Sequence, residues 1–185
     1  MLRPSQRQQG VREMTRPNFD LASSEALKLI KKYSFARPPI DPERIAEDEG
    51  IRVVYAKFQF PDNDKYNGFF RLNDNTIVVN DDISDNRITY TIAHELGHHF
   101  LHQDYIKSND YMPMPRRDRY DGPKPKEETE ADTFAANLLV PLFMLKEYKD
   151  FATERELARL FFVAEEVIRY RLDLLRRHPS LARAP

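Results

Sequence analysis

The sequence predicts an α+β fold in which a small antiparallel sheet packs with a long helix and is followed by a C-terminal helical pair. Only 5 glycines but 13 prolines occur in the 185 residues, which is typical of a helix-rich chain divided by prolines. β-branched and aromatic residues concentrate between positions 51 and 80. Apolar residues at helical spacing flank this stretch on both sides, so helices are expected before and after the sheet.

The chain begins with a polar stretch, residues 1–19, that we expect to be a flexible lead-in. Apolar residues then recur with helical spacing over 20–34, and Asp20 can cap this first helix. A second helix begins at Asp41-Pro42-Glu43, because an acceptor precedes a proline at the first helical position. Gly50 follows the end of that helix.

The strands are predicted next in the chain. Residues 51–58 are rich in β-branched and aromatic side chains and predict one strand. Residues 68–72 and 76–80 flank Asn73-Asp74-Asn75 and predict a hairpin. The edge of this hairpin either binds an extended peptide by strand addition or only covers the core, and the sequence does not decide between the two.

The C-terminal half is predicted to be helical, apart from a long loop at 103–126 that contains four prolines and has a basic second half. Thr153 and Glu156 form a capping box at the start of the helical pair. We divide the chain into the lead-in, a domain over 20–150 and a helix-turn-helix-like module over 151–185. The predicted helices cover residues 84–102, 127–141, 142–149, 153–160 and 164–177.

Charge and composition exclude several classes of function. The 29 basic and 30 acidic residues give a net charge of −1, which excludes a globally basic nucleic-acid binder. The absence of cysteine excludes disulfides, a thiol nucleophile, an iron–sulfur cluster and a thiolate zinc site. No signal peptide and no apolar run of membrane-spanning length is found, so we expect a cytoplasmic protein that does not enter the membrane. A transition metal would have to be bound by histidines and carboxylates alone.

Four of the five histidines lie within residues 94–102, and His94-Glu95-Leu96-Gly97-His98 matches the pattern H-E-x-x-H. At about 100° per residue, His94 and His98 lie one turn apart on one face of a helix, so both imidazoles can reach one ion. Glu95 lies at the edge of that face, where it can approach a metal-bound water as a general base. The alternative to a metal site is that these residues occur by chance on a solvent-exposed face of a helix.

The other histidines are assigned lesser roles. His98 and His102 have the same spacing as His94 and His98, but that pair would place His99 where the carboxylate base is needed. We interpret His102 as a residue that supports a ligand or packs beside it. His99 is expected in solvent or at the boundary between helix and sheet, and His178 is expected at the surface.

The third ligand must be a carboxylate, and the helix that begins near residue 127 offers several. Glu128 and Asp132 lie four residues apart on one face, as a ligand and a carboxylate that supports a ligand histidine would. Glu130 remains an alternative ligand on spacing alone. A solvated acidic first turn is the other interpretation of Glu127 and Glu130.

Two motifs in combination resemble the ImmA/IrrE family of metallopeptidases: ITYTIAHELGHHFLH at 88–102 and EETEADTFAANLLVP at 127–141. VNDDIS at 79–84, IDPERIAEDEGIRVVY at 40–55 and LARLFFVAEEVIRYRL at 157–172 resemble the family too. The resemblance implies a metallopeptidase core with a zincin-like HExxH helix. It also implies Glu128 as the metal ligand with Asp132 beside it.

The resemblance further implies a substrate, because some members of the family cut helix-turn-helix transcriptional repressors and so relieve repression of mobile-element or stress genes. We therefore expect a zinc-dependent endopeptidase, with Mn²⁺ as a possible substitute. Two features depart from the family pattern: the loop over 111–126 is longer, and Ala164 stands where serine is common. Tyr105, Tyr111 and Tyr120 are alternative oxyanion donors that the sequence does not rank.

Two other functions remain open at this point. A metal-stabilised protein could antagonise a repressor by binding alone, although such a protein has no need of Glu95. A DNA-binding regulator could use residues 153–177 as a helix-turn-helix. Segment 150–185 carries nearly equal numbers of positive and negative charges, which does not favour direct nucleic-acid binding.

Overall fold

The computed structural model describes residues 16–59, 66–109, 111, 114–115 and 123–182, and these residues form eight helices and a four-stranded sheet. Most of the predicted lead-in, residues 1–15, and Tyr120 lie outside the described residues. The strands are β1 (Arg52–Ala56), β2 (Tyr66–Arg71), β3 (Thr76–Asn80) and β4 (Met114–Pro115). The helices are α1 (Phe19–Lys32), α2 (Pro42–Asp48), α3 (Asp85–Leu101), α4 (Gln103–Ile106), α5 (Lys126–Leu139), α6 (Leu142–Tyr148), α7 (Glu154–Phe161) and α8 (Glu165–Arg177).

Helix starts follow the predicted capping chemistry with one exception. The side chain of Asp41 caps α2, and the capping box at Thr153 caps α7. The predicted cap at Asp20 is wrong, because Asn18 accepts the hydrogen bond from the Leu21 N–H at 3.0 Å. Asp20 lies instead in the first turn of α1, where its charge is favourable at the positive end of the helix dipole.

The sheet has the strand order β1-β3-β2-β4. The hairpin prediction is confirmed, since β2 and β3 pair antiparallel with Phe69 opposite Val78. A purely antiparallel sheet is wrong, because β1 runs parallel to β3, with Val54 opposite Val78. β3 thus lies between β1 and β2, and all five of its residues are buried. The α+β class is confirmed, with a mixed sheet.

The stretch over 103–126 is not loop throughout. It begins with α4, and β4 pairs antiparallel with β2, Gly68 lying opposite Met114 and Tyr66 opposite Pro115. The outer edge of β2 therefore already carries a strand of the same chain at these two positions.

Helix α3 lies between the sheet and α5, and α1 packs on α5. Two glycines allow these close approaches. A Cβ at Gly68 would lie 2.6 Å from Thr91 Cγ2 of α3, and a Cβ at Gly97 would lie 3.1 Å from the Ala131 Cα of α5. Every residue from Thr91 to His98 is buried, so the centre of α3 forms the middle of the core.

The C-terminal helices share this core. Leu157, Phe161 and Ile168 of α7 and α8 belong to the same buried cluster as the helices around α3. The boundary predicted near residue 150 stays a prediction.

Among the described residues, no helix combines the length and the apolar character that a transmembrane helix requires.

Candidate metal centre

The buried centre of α3 brings His94 and His98 onto one face, one turn apart. His94 is 1% exposed and His98 is 0% exposed, and their Nε2 atoms lie 3.1 Å from each other. The predicted helical setting of the H-E-x-x-H pattern is therefore confirmed. Both Nε2 atoms point toward α5.

Helix α5 adds the carboxylate. Glu128 Oε1 lies 3.1 Å from His98 Nε2, and Glu128 Oε2 lies 3.3 Å from His94 Nε2. Two donor atoms about 2.1 Å from one ion at a tetrahedral angle are about 3.4 Å apart, so the observed separations fit one bound Zn²⁺ or a similar ion. The ligand atoms of this buried group all lie within 4.8 Å of one another. The donor set and its geometry thus suit a divalent metal.

The electrostatics of this group favour positive charge between the three side chains. Burial favours the neutral imidazole of His94, but hydrogen bonds to Asp132 and Glu128 raise the pKa of His94 to about 10. Burial likewise opposes ionisation of Glu128, but hydrogen bonds with His94 and His98 hold the pKa of this carboxyl well below its usual range. Burial lowers the pKa of His98. A proton and a metal cation compete for the same nitrogen atoms, so metal binding releases protons.

Glu95 lies beside these ligands and is fully buried. Its Oε2 accepts a hydrogen bond from the Tyr111 hydroxyl at 2.7 Å, and the Tyr111 oxygen accepts one from the Phe70 N–H of β2. Its Oε1 has no hydrogen-bond partner among the residues that the structure describes. Burial raises the pKa of Glu95 to about 7, near the value that suits a general base at neutral pH.

Asp132 contacts His94 from behind. Its Oδ1 lies 2.8 Å from His94 Nδ1, the nitrogen that faces away from Glu128. The Lys124 ammonium pairs with the other oxygen of Asp132, and the Tyr90 hydroxyl lies 3.4 Å from Oδ1. Hydrogen bonding to His94 outweighs burial and lowers the pKa of Asp132. The structure thus places Asp132 where a carboxylate that orients a ligand histidine would lie.

His102 and Glu130 lie on the other side of the site. His102 Nδ1 is 3.2 Å from His98 Nδ1, and His102 Nε2 is 2.6 Å from Glu130 Oε2. The solvated interpretation of Glu130 is therefore wrong, and Glu130 lies against His102 rather than in the ligand group. The alternative pairing of His98 with His102 is not favoured, because their facing atoms are the Nδ1 atoms, remote from Glu128.

The remaining side chains have simpler surroundings. The ring of His99 packs on Phe70 at 5.3 Å between centroids, at the helix–sheet boundary as predicted, and His178 is exposed. The Tyr105 hydroxyl donates to Glu128 Oε1 at 3.1 Å. Of the three tyrosines that the sequence did not rank, Tyr105 and Tyr111 therefore both reach the site.

The family model described as Peptidase_M78, IrrE N-terminal-like domain, matches residues 46–173. The chain belongs to this M78 family. The match spans α3 and α5 and so includes every residue of the buried ligand group. The resemblance inferred from the two motifs is confirmed, and membership of a metallopeptidase family agrees with a site suited to a divalent metal.

Two other proteins are similar to this M78 chain. An uncharacterized immunity region protein 2 of Bacillus phage phi105 is 28% identical over 141 residues, which cover 71% of this chain and 76% of the phage protein. A solved structure of a Mycobacterium tuberculosis transcriptional regulator superposes with a TM-score of 0.59 and 14% identity, covering 83% of this chain. This chain spans 46% of the regulator, and at this identity the likeness concerns the fold alone.

The sequence named Tyr111 and Glu130 as candidates at this M78 site but did not predict the contact of Tyr111 with Glu95 or that of Glu130 with His102. Tyr111 is 16 residues from Glu95, in an aperiodic stretch where no pattern predicts which side chain faces the site. Glu130 was considered only as a metal ligand or a solvated residue. Its contact with His102 depends on how α3 crosses α5, which spacing along one helix does not reveal.

Proposed function

We propose that this M78 protein is a zinc-dependent endopeptidase, with His94, His98 and Glu128 as metal ligands and Glu95 as the catalytic base. One observation carries the proposal: three buried donor atoms converge beside a buried carboxylate that has an oxygen without a described partner. A purely structural metal site has no need of such a carboxylate. Three protein ligands leave the fourth coordination position free, which is the pattern of catalytic zinc sites.

When bound, the divalent cation supplies Lewis acidity, which makes water acidic near neutral pH and polarises the scissile carbonyl. Glu95 Oε1 takes the proton from the attacking water and then delivers it to the nitrogen of the leaving amine. Tyr111 holds Oε2, and Oε1 is the oxygen that has no partner among the described residues. Asp132 holds the ring of His94 so that Nε2 points to Glu128. Mn²⁺ can replace Zn²⁺ in this role, because histidine and carboxylate suit both ions.

For the substrate we propose a helix-turn-helix transcriptional repressor in the cytoplasm. The motif resemblance to the ImmA/IrrE family supports this substrate class. The phage relative is named for an immunity region, which agrees with a role in repressor control. Cutting the repressor would relieve repression of mobile-element or stress genes.

The C-terminal pair does not favour direct binding to DNA. Arg171 is buried, and Arg169 pairs with Glu166 on the same helix. Arg176 and Arg177 both pair with Asp173. The acidic side chains among these exposed arginines reduce the positive potential of α8 that would attract phosphates. We therefore assign this pair to packing or to recognition of the protein partner.

The decisive experiment compares the wild type with Glu95→Gln on purified helix-turn-helix repressors of the organism that encodes this protein. We expect the wild type to cut the repressor with Zn²⁺ or Mn²⁺ and to lose cleavage in chelator. Glu95→Gln should bind the metal equally and cleave about 10²-fold to 10⁴-fold more slowly, because it has no general base. Glu47→Gln, a change at an exposed position on α2, is the matched control and should cleave like the wild type.

Each contrary result has a definite meaning. Full cleavage by Glu95→Gln would exclude Glu95 as the base. Release of the repressor from its operator by both proteins, without cleavage, would show an antagonist that acts by binding. Products are read by mass spectrometry, and metal content by elemental analysis of the same samples.

A further inference from the structure

We propose that Glu130 is a positioning residue of the metal site, which acts through His102 to fix the orientation and the tautomer of His98. The inference rests on the metal binding of the proposed function and concerns residues that are not ligands. It assigns a role to two largely buried side chains that neither the ligand group nor the catalytic base requires.

The contacts form an unbroken line from the ligand group to the start of α1. His98 turns its Nε2 toward Glu128 and its Nδ1 toward His102, at 3.1 and 3.2 Å. His102 turns its Nε2 toward Glu130 Oε2 at 2.6 Å. Glu130 Oε1 accepts the backbone N–H of Asn18 at 2.6 Å. Both oxygens of Glu130 are therefore held, one by α1 and one by His102.

Metal ligation dictates where each proton in this line must be. A His98 that offers its Nε2 lone pair to a cation carries its proton on Nδ1. That Nδ1–H donates to His102 Nδ1, which must then be an unprotonated acceptor. His102 consequently carries its proton on Nε2 and donates it to the Glu130 carboxylate. The carboxylate stabilises this tautomer, since the opposite one would leave a lone pair facing Glu130.

Each ligand histidine is thus oriented by a carboxylate, but His94 and His98 contact theirs in different ways. His94 donates directly to a carboxylate, Asp132, at 2.8 Å. His98 reaches its carboxylate through one intervening imidazole, which lies one helical turn further along α3. The side chains of His102 and Glu130 are only 8% and 12% exposed, so solvent competes weakly with these hydrogen bonds.

The first test needs no substitution. Long-range ¹H–¹⁵N correlation spectra of the zinc-loaded full chain report the tautomer of each histidine. We expect His98 as the Nδ1–H form and His102 as the neutral Nε2–H form. A His102 that carries its proton on Nδ1, or on both nitrogens, would overturn the inference, because it could not accept from His98.

The second test measures zinc affinity by competition with a chromophoric chelator. Removal of the acceptor in Glu130→Ala should weaken binding about 10-fold to 100-fold, the usual loss when a partner of a metal-bound histidine is removed. Glu130→Gln keeps an acceptor oxygen and should lose less. Glu166→Ala, whose side chain is 76% exposed on α8, should bind zinc like the wild type. Wild-type affinity in Glu130→Ala would contradict the proposal.

A double-mutant cycle separates positioning from a structural role, because Glu130 also anchors α1. If Glu130 acts through His102, then Glu130→Ala adds little further loss of zinc affinity to His102→Ala. Fully additive losses would overturn the proposal. A wild type that binds no zinc would overturn the proposed function together with this inference, whereas a zinc-binding wild type with an unaffected Glu130→Ala would overturn the inference alone.

Discussion

Glu95 shows how the chemistry of one residue conflicts with the stability of the fold. It is fully buried, and burial raises its pKa to about 7 from an ordinary value of 4.5. Ionised Glu95 is thus the form that the folded chain disfavours, although a general base must be ionised to accept a proton. At this position an uncharged side chain would make the folded chain more stable than an ionised carboxylate does.

The pH dependence of stability measures this conflict in protein treated with chelator. Between pH 4.5 and 7 the folded state keeps the Glu95 proton that the unfolded state has lost, so the contribution of Glu95 to the stability of the wild type falls as pH rises. Glu95→Gln lacks this loss. Its stability relative to the wild type should rise through that window and level off above pH 7, by an amount on the order of 3 kcal/mol.

Urea unfolding of both proteins between pH 4.5 and 8.5 tests this expectation. Glu166→Gln changes an exposed carboxyl and should follow the wild type across the range. A difference between Glu95→Gln and the wild type that does not vary with pH would contradict the assigned cause.

At the scale of elements, the distance between α3 and α5 sets the ligand geometry, and Gly97 sets that distance. An alanine Cβ at position 97 would lie 3.1 Å from the Ala131 Cα and 3.2 Å from its carbonyl oxygen. Both neighbours are backbone atoms of α5, so the helix itself must shift by a few tenths of an ångström. Glu128 lies on α5 one turn before Ala131 and moves with it.

Gly97→Ala should therefore weaken zinc binding as well as stability. Alanine in a helix is favourable by about 1 kcal/mol relative to glycine. Overpacking of the core costs about 1–3 kcal/mol, so we expect a net loss of stability. Chelator competition and thermal unfolding of the same samples check the two effects. Increased stability with unchanged zinc affinity would show that α5 does not sense position 97.

The elements also show which parts of the molecule the sequence predicts. Local signals were sufficient where one stretch of chain decides the outcome, as in the capping box at Thr153 and the hairpin of β2 and β3. The parallel pairing of β1 with β3 was not predicted, because it depends on which strand enters the middle of the sheet. The same limit applies to the site. The spacing of His94 and His98 is local, whereas the contact of Glu130 with His102 depends on helix crossing.

At the scale of the whole molecule, Arg171 joins the C-terminal pair to the helix that carries Glu128. Its Nε donates to the Val140 carbonyl oxygen and its guanidinium to Asn137 Oδ1, both at 2.9 Å. Arg171 is 1% exposed and burial lowers its pKa to about 10. A buried guanidinium with neutral acceptors is costly to desolvate, so its contribution lies in satisfying oxygens that would otherwise be unpaired.

Arg171→Met tests whether α8 and the metal site unfold together. Methionine replaces the apolar stem but leaves both acceptors without this donor, so we expect a loss on the order of 2 kcal/mol. Because α7 and α8 share one core with the rest of the chain, the loss should lower the midpoint of a single transition.

Circular dichroism and release of bound zinc should report the same midpoint. Arg169→Met, at an exposed surface pair, should leave it nearly unchanged. An early helical transition with zinc still bound would instead support a separate module over 151–185.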